Sequence, residues 1–117
     1  MAKKHTPFVI AYDFDGTLAP GNMQEYDFIP ALEIKIKDFW KKVGEEARRH
    51  DADGILTYMH LMLKEAGKKD IKVQRQNFED FGKGITMFPG VEDWFDRINE
   101  YGRERQIKVL HFIISSG

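Results

Sequence analysis

Residues 8–17 read Phe-Val-Ile-Ala-Tyr followed by Asp-Phe-Asp-Gly-Thr, and the sharp change between the two halves sets the architecture. The first half is a continuous apolar run with β-branched members, which is typical of a strand buried on both faces of a parallel sheet. The second half brings two carboxylates and a glycine directly after that run. The sequence therefore predicts a first strand over residues 8–12 that ends in a polar turn.

A second strand of the same kind is predicted at the far end of the chain, over residues 107–114, where it is followed at once by Ser115-Ser116-Gly117. Between the strands, apolar residues recur at three- and four-residue steps, which indicates helices. The predicted helices run from Ile29 to Ala47, from Asp53 to Gly67, from Phe78 to Ile85 and from Val91 to Gly102. The order of strand, helices and strand predicts an α/β fold with a helical insertion after the first strand.

Composition excludes several classes of partner. The 117 residues carry 18 Lys+Arg against 19 Asp+Glu, a formal net charge of -1, so no basic field for nucleic acid or an anionic membrane is expected. The absence of cysteine excludes disulfides and a thiol nucleophile and favours a reducing compartment. No run approaches the length of a membrane-spanning helix or a signal peptide. We therefore expect a soluble, cytoplasmic protein.

The acidic turn Asp13-Phe14-Asp15-Gly16-Thr17-Leu18, placed after an apolar strand, resembles the first signature of the haloacid dehalogenase (HAD) superfamily in its phosphatase branch. Phe88-Pro89-Gly90-Val91 resembles the point at which many members return from their cap to their core. The resemblance implies a partial Rossmann-like parallel sheet formed by residues 1–20 and 86–117. It also implies a helical cap of the C1 type over residues 21–85.

The same resemblance implies a hydrolase that acts on small-molecule phosphate esters. Asp13 would attack phosphorus to form an aspartyl-phosphate, and Asp15 would protonate the leaving oxygen and later take a proton from water. Mg²⁺ would be held by a side-chain oxygen of Asp13 and by the backbone carbonyl of Asp15. The need for a cation also follows from the residues, because two nearby carboxylates do not both stay ionised cheaply without one.

Phosphate-binding residues are expected at both strand ends. Gly16 would let the backbone leave the strand with its amide groups facing an anion, and Thr17 would assist. The strand that ends in Ser115-Ser116-Gly117 resembles the second signature of the superfamily, in which a hydroxyl holds the phosphate. Ser115 is the predicted hydroxyl, and the Ser116 amide is the predicted second donor.

Other interpretations of these residues stay open at this point. Asp-x-Asp-Gly can also be a surface turn or a helix cap, and Ser-Ser-Gly after a strand is usually a turn. A calcium loop does not fit Asp13 to Gly16, because it needs glycine at loop position six and helices on both sides. A second copy of the acidic pattern, Asp51-Ala52-Asp53-Gly54, precedes a helical stripe and is interpreted as a helix cap. The four histidines show no metal-ligand spacing, and His111, inside the second strand, is predicted to be a hydrogen-bonded core residue.

Members of the superfamily normally continue with a phosphate-stabilising lysine and an acidic pair that completes the Mg²⁺ shell. We therefore expect an amino-terminal fragment that is inactive or nearly so by itself. Its exposed strand edge would favour self-association or pairing with the missing carboxyl-terminal part. Two alternatives remain: a phosphotransferase or mutase of the same superfamily, and a non-catalytic remnant or binding module.

Overall fold

The computed structural model describes residues 4–116, which form a two-stranded sheet, five α-helices and one short 3-10 helix. Since the strands are parallel and helices lie between them in the chain, the predicted mixed α/β class is confirmed. None of the helices in this range has the length and apolar character needed to cross a membrane. The strands are β1 (Thr6–Tyr12) and β2 (Ile107–Ile113), and between them come the 3-10 helix Met23–Glu25 and helices α1 (Phe28–Ala31), α2 (Ile36–Arg49), α3 (Gly54–Lys68), α4 (Arg75–Gly82) and α5 (Val91–Arg103).

The chain divides into two compact units. The described part of the first comprises residues 4–21 and Thr86–Ser115, and therefore contains β1, β2 and α5. The second comprises Asn22–Ile85 together with Ser116, and it is helical.

In the first unit, β1 and β2 pair in parallel from Thr6 opposite Ile107 to Tyr12 opposite Ile113. Helix α5 begins after Gly90, whose φ of 89° lies in the left-handed region that favours glycine. Near its end, Gly102 allows a close approach to β2, because an added Cβ would lie 2.8 Å from Val109 Cγ2. The helix thus packs directly on the second strand.

The strands are less buried than their apolar sequences predict. Phe8 and Val9 in β1 are each 56% exposed, and Phe112 and Ile113 in β2 are 54% and 57% exposed. The expectation of strands buried on both faces is therefore wrong for this unit. The physical reason is that α5 is the only helix in the described part of the unit, so one helix has to cover a sheet with two apolar faces.

A hydrogen-bonded network joins the sheet to α5. The Tyr12 hydroxyl lies 2.8 Å from His111 Nδ1 and accepts the indole N–H of Trp94 at 2.9 Å. His111 Nε2 lies 2.7 Å from the Asn99 side-chain oxygen, Oδ1. Both ring nitrogens have partners inside the unit, so the predicted hydrogen bonding of His111 is confirmed, but the residue is half-buried and does not belong to the core.

The second unit has a core of its own, built where α1, α2 and α3 meet. Its largest fully buried side chains are Ile29, Leu32, Phe39 and Leu61. At about 1.5–3 kcal/mol for each large apolar side chain removed from water, these residues supply the main stabilisation of the helical unit.

The single long helix predicted from Ile29 to Ala47 is wrong. The structure has two helices there, α1 and α2, separated by residues 32–35, and Glu33 in the gap has a φ of 58°. The apolar spacing continues through the gap because Ile29 and Leu32 both enter the core, and this continuity hides the break. Similarly, α4 ends at Gly82, so Ile85, which was predicted to end the third helix, lies outside the observed one.

The second acidic copy is a helix cap, as predicted. Asp53 is the N-cap of α3, and its carboxylate accepts the backbone N–H groups of Ile55 and Leu56 at 2.9 and 3.0 Å. These contacts satisfy two of the otherwise unpaired donors at the start of the helix. Asp51-Ala52-Asp53-Gly54 therefore has a structural role that does not extend to the Asp13 copy.

A buried carboxylate links α2 to α3. Glu65, only 7% exposed, accepts hydrogen bonds from Lys42 on α2 and from Lys68 one turn further along α3. These two hydrogen bonds, together with the positive charges of the lysines, hold the pKa of Glu65 below its usual value of 4.5. Ionisation of Glu65 is therefore more favourable in the folded state than in the unfolded chain.

Replacing Glu65 with Gln should lower the free energy of unfolding at pH 7 by about 1–2 kcal/mol, because charge-assisted hydrogen bonds are lost in a buried place. Since the folded-state pKa is lowered, this contribution is complete above pH 4.5 and is lost as the pH falls through the folded-state value. Urea titrations of both proteins at pH 7 and pH 3 measure the difference. The matched control is Glu45→Gln on α2, whose 4.0 Å pair with Lys41 is exposed and should contribute little at either pH. A Glu65→Gln deficit that is equally large at pH 3 would contradict the ionic origin of the effect.

Candidate active site

The carboxyl ends of the two strands lie side by side. Tyr12, the last residue of β1, pairs with Ile113, the last residue of β2. The ladder continues one step further, because the Ile114 N–H donates to the Tyr12 carbonyl at 2.8 Å. Asp13 follows Tyr12 in the chain, and Ile114 and Ser115 follow Ile113, so Asp13 and Ser115 come just after the paired ends of the two strands. Both belong to the first unit.

Asp13 presents its carboxylate to solvent at this edge. The residue is exposed, and its Oδ1 accepts the backbone N–H of Phe14 at 2.9 Å. The contact orients the side chain and uses one of its two oxygens, so Oδ2 is available for another group. Phe14 itself is 9% exposed, which anchors the turn between Asp13 and the half-buried Asp15.

The turn after Asp15 is closed by its own backbone. The Phe14 carbonyl accepts N–H groups from Thr17 at 3.1 Å and Leu18 at 3.0 Å, and the Gly16 N–H donates to the Ala19 carbonyl at 2.7 Å. Gly16 has a φ of 77°, which explains why glycine stands there. The apolar side chains of Leu18 and Ala19 are 5% and 1% exposed, so the turn is held by burial as well.

Gly16 and Thr17 are predicted to bind phosphate, and the structure shows which of their groups already have partners. The backbone N–H groups of both residues donate to carbonyl groups of the turn. The reason is local, because a turn this tight satisfies its amides internally before any ligand arrives. Thr17 is exposed, so its hydroxyl is the group that remains suited to a phosphate oxygen.

The two serines of the second signature fall in different units. Ser115 is exposed and belongs to the first unit, together with Asp13, Asp15, Gly16 and Thr17. Ser116 belongs to the helical unit, where its carbonyl accepts a hydrogen bond from the Tyr58 hydroxyl. Gly117 lies outside the described residues. The structure thus gathers five of the six predicted site residues in one unit and assigns the sixth, Ser116, to the other.

The predicted ligands are oxygen donors of the type that Mg²⁺ binds, but they are fewer than its complete shell needs. Within residues 4–116 no group of three or more His, Cys, Asp or Glu side chains could hold a metal. Mg²⁺ is commonly bound by one or two carboxylates, with water and substrate phosphate completing its shell. Asp13 supplies a carboxylate and Asp15 a backbone carbonyl, which are oxygen donors of the kind that Mg²⁺ accepts.

One contact at the site was not predicted from the sequence. The Leu18 carbonyl accepts the Phe88 N–H at 2.9 Å, which ties the acidic turn to the segment that leads into α5. The Phe88-Pro89-Gly90 break predicted a return to the first unit, but no residue pattern indicated which backbone group would be bound there. The contact stabilises the turn that carries Asp15.

Comparisons of the chain with family models, with curated proteins and with solved structures gave no match. What the fold itself defines is a mixed α/β protein with a parallel strand pair, and with an acidic turn and a serine at the carboxyl ends of its two strands.

Proposed function

We propose that the protein is a Mg²⁺-dependent phosphomonoester hydrolase of the HAD superfamily that works through an aspartyl-phosphate. The observation that carries the proposal is the parallel register, in which Tyr12 pairs with Ile113 and its carbonyl accepts the Ile114 N–H. Ligands of open parallel sheets bind outside the carboxyl ends of the strands, and this register brings Asp13 and Ser115 to one such edge.

In the proposed reaction, an oxygen of Asp13 attacks phosphorus and the bond to the ester oxygen breaks. Asp15 gives its proton to the departing alkoxide, which leaves as an alcohol. Asp15 then takes a proton from water, whose oxygen attacks phosphorus and displaces the Asp13 carboxylate, releasing inorganic phosphate. Atoms and charges balance over the two steps, and each residue returns to its starting state.

The remaining polar groups have supporting roles. The hydroxyls of Ser115 and Thr17 would donate to non-bridging phosphate oxygens, whose charge grows in the transition state. When bound, Mg²⁺ supplies positive charge that screens the Asp13 carboxylate from the phosphate it attacks. The substrate class is a small phosphate ester, and a cysteine-free chain is compatible with a cytoplasmic location.

A second candidate function is a non-catalytic binding module that keeps the acidic turn without its chemistry. Two observations favour it: the Gly16 and Thr17 amides are used inside the turn, and no group of three metal ligands forms within the described part of the chain. Such a module would bind neither Mg²⁺ nor phosphate at Asp13.

Removal of Mg²⁺ distinguishes the proposed hydrolase from the binding module. We expect the full-length product of the gene to release p-nitrophenol from p-nitrophenyl phosphate in Mg²⁺, with the rate falling about 100-fold or more in EDTA. Restored Mg²⁺ should recover the rate, whereas Ca²⁺, which needs more ligands at longer distances, should not. Absence of turnover, combined with no heat of Mg²⁺ binding by calorimetry, would overturn the hydrolase and support the binding module.

A further inference from the structure

The helical unit contains a cavity of about 470 Å³ that no step of the proposed reaction uses. Its lining comes entirely from residues 23–85, including the 3-10 helix, α1, α3 and α4. The volume lies within the range of about 300–1,000 Å³ that small-molecule sites occupy. The cavity is therefore large enough to hold an organic ligand.

The walls of the cavity are apolar and adaptable. Met23, Met59 and Met62 line it together with Phe28, Phe78 and Phe81. Phe28 is stacked on Phe78 at 5.7 Å and meets Phe81 edge-on at 5.2 Å, so one aromatic wall is already organised. Thioether sulfurs make favourable contacts with aromatic rings and adjust to their shape, so these walls suit an aromatic ligand.

The cavity opens to solvent past large apolar side chains. Leu63, Met59 and Phe78 are 52%, 42% and 41% exposed, although each lies on the lining. Exposed apolar residues are ordinary when scattered, but a cluster around a concave opening marks a ligand or partner site. A small molecule could therefore enter without unfolding the unit.

One polar group in the lining has an unmet hydrogen bond. Gln24 is 6% exposed, and among the described residues its side-chain oxygen, Oε1, is the buried side-chain polar atom without a partner. A buried acceptor without a donor is unfavourable, and native structures contain few of them. A ligand that brought a single N–H or O–H group to Gln24 would remove this cost.

The geometry points to a binding site for an aromatic molecule that carries one hydrogen-bond donor, such as an indole or a phenol. The ring lies between the methionine and phenylalanine side chains, and its donor meets Gln24 Oε1. None of the lining residues belongs to the acidic turn, since all of them lie in the helical unit. It needs neither Mg²⁺ nor phosphate, so it is tested without reference to the hydrolase.

Indole and 1-methylindole are matched probes, because they share shape and apolar area and differ in the N–H donor. Calorimetry with the 117-residue chain should give a Kd for indole of about 1 mM or below. Binding of 1-methylindole should be about tenfold weaker, because it leaves Gln24 Oε1 unpaired. In Gln24→Met, which removes the acceptor and keeps the length of the side chain, the two probes should bind equally.

The methyl groups of methionine locate the site independently. Indole should shift the ¹³C-methyl NMR signals of Met23, Met59 and Met62 and leave that of Met87, which is not on the lining, unchanged. Leu63→Glu should remove binding by placing a charge at the opening. Leu56→Glu, on the same helix but outside the cavity and 68% exposed, should leave binding intact.

Three results would overturn the assignment: no binding of indole by the wild-type chain, equal affinity of the wild-type chain for both probes, or a shift confined to Met87. Binding of indole with a tenfold preference that disappears in Gln24→Met would support it. A near-native helical circular dichroism spectrum of Gln24→Met would show that the lost preference comes from the missing acceptor and not from unfolding.

Discussion

Asp13→Asn should lower the rate of phosphate release by about 1,000-fold or more in the full-length protein. A carboxamide has nearly the same shape as the carboxylate and can still accept the Phe14 N–H, but it does not attack phosphorus to form an acyl phosphate. Loss of a nucleophile removes the whole covalent route, which is why the effect exceeds that of removing one hydrogen-bond donor. Steady-state hydrolysis of p-nitrophenyl phosphate measures it.

The chain supplies a matched control for this substitution in its second acidic copy. Asp53→Asn makes the same chemical change at a helix cap, and Asn caps helices about as well as Asp. We therefore expect unchanged turnover and unchanged stability in Asp53→Asn. Equal losses in the two variants would mean that the Asp13 effect is a general consequence of folding, and undiminished turnover in Asp13→Asn would end the nucleophile assignment.

Phe39→Ala should destabilise the helical unit by about 3–5 kcal/mol. Phe39 is fully buried and packs edge-on against Trp40 at 5.3 Å, so its removal loses apolar burial and leaves a cavity between helices. Urea unfolding followed by far-ultraviolet circular dichroism reports this unit, which holds α1 to α4. The midpoint should move to markedly lower urea.

A leucine on α3 provides the control for the size of that effect. Leu56 is 68% exposed, so Leu56→Ala should change the free energy of unfolding by no more than about 0.5 kcal/mol. Similar midpoints for Phe39→Ala and Leu56→Ala would contradict the placement of Phe39 at the centre of the core.

The strands and most helices follow from periodicity. The apolar run before Asp13 and its counterpart before Ser115 predicted β1 and β2 to within two residues at each end, because short β-branched apolar runs bounded by polar turns are typical of strands in parallel sheets. Asp53 at the start of α3 was predictable for a related reason, since a cap acts on backbone groups only two and three residues away.

What the sequence does not reveal depends on groups that come together only in three dimensions. The break at Glu33 is invisible because Ile29 and Leu32 keep the helical spacing while both enter the core. The hydrogen bond from the Gly16 N–H to the Ala19 carbonyl depends on the geometry of the turn, which residue types do not determine. The unmet acceptor of Gln24 likewise depends on which helices surround it.

The most direct test of the central claim traps the covalent intermediate on Asp13. Brief incubation of the full-length protein with a phosphate ester and Mg²⁺, followed by borohydride, should reduce an acyl phosphate to the alcohol, so that peptide mass spectrometry finds homoserine at position 13. The expected result is homoserine at that position alone, dependent on substrate and absent in Asp13→Asn. Active protein with an unmodified Asp13, or with homoserine at Asp15 or another carboxylate, would contradict the claim that the residue at the end of β1 is the nucleophile.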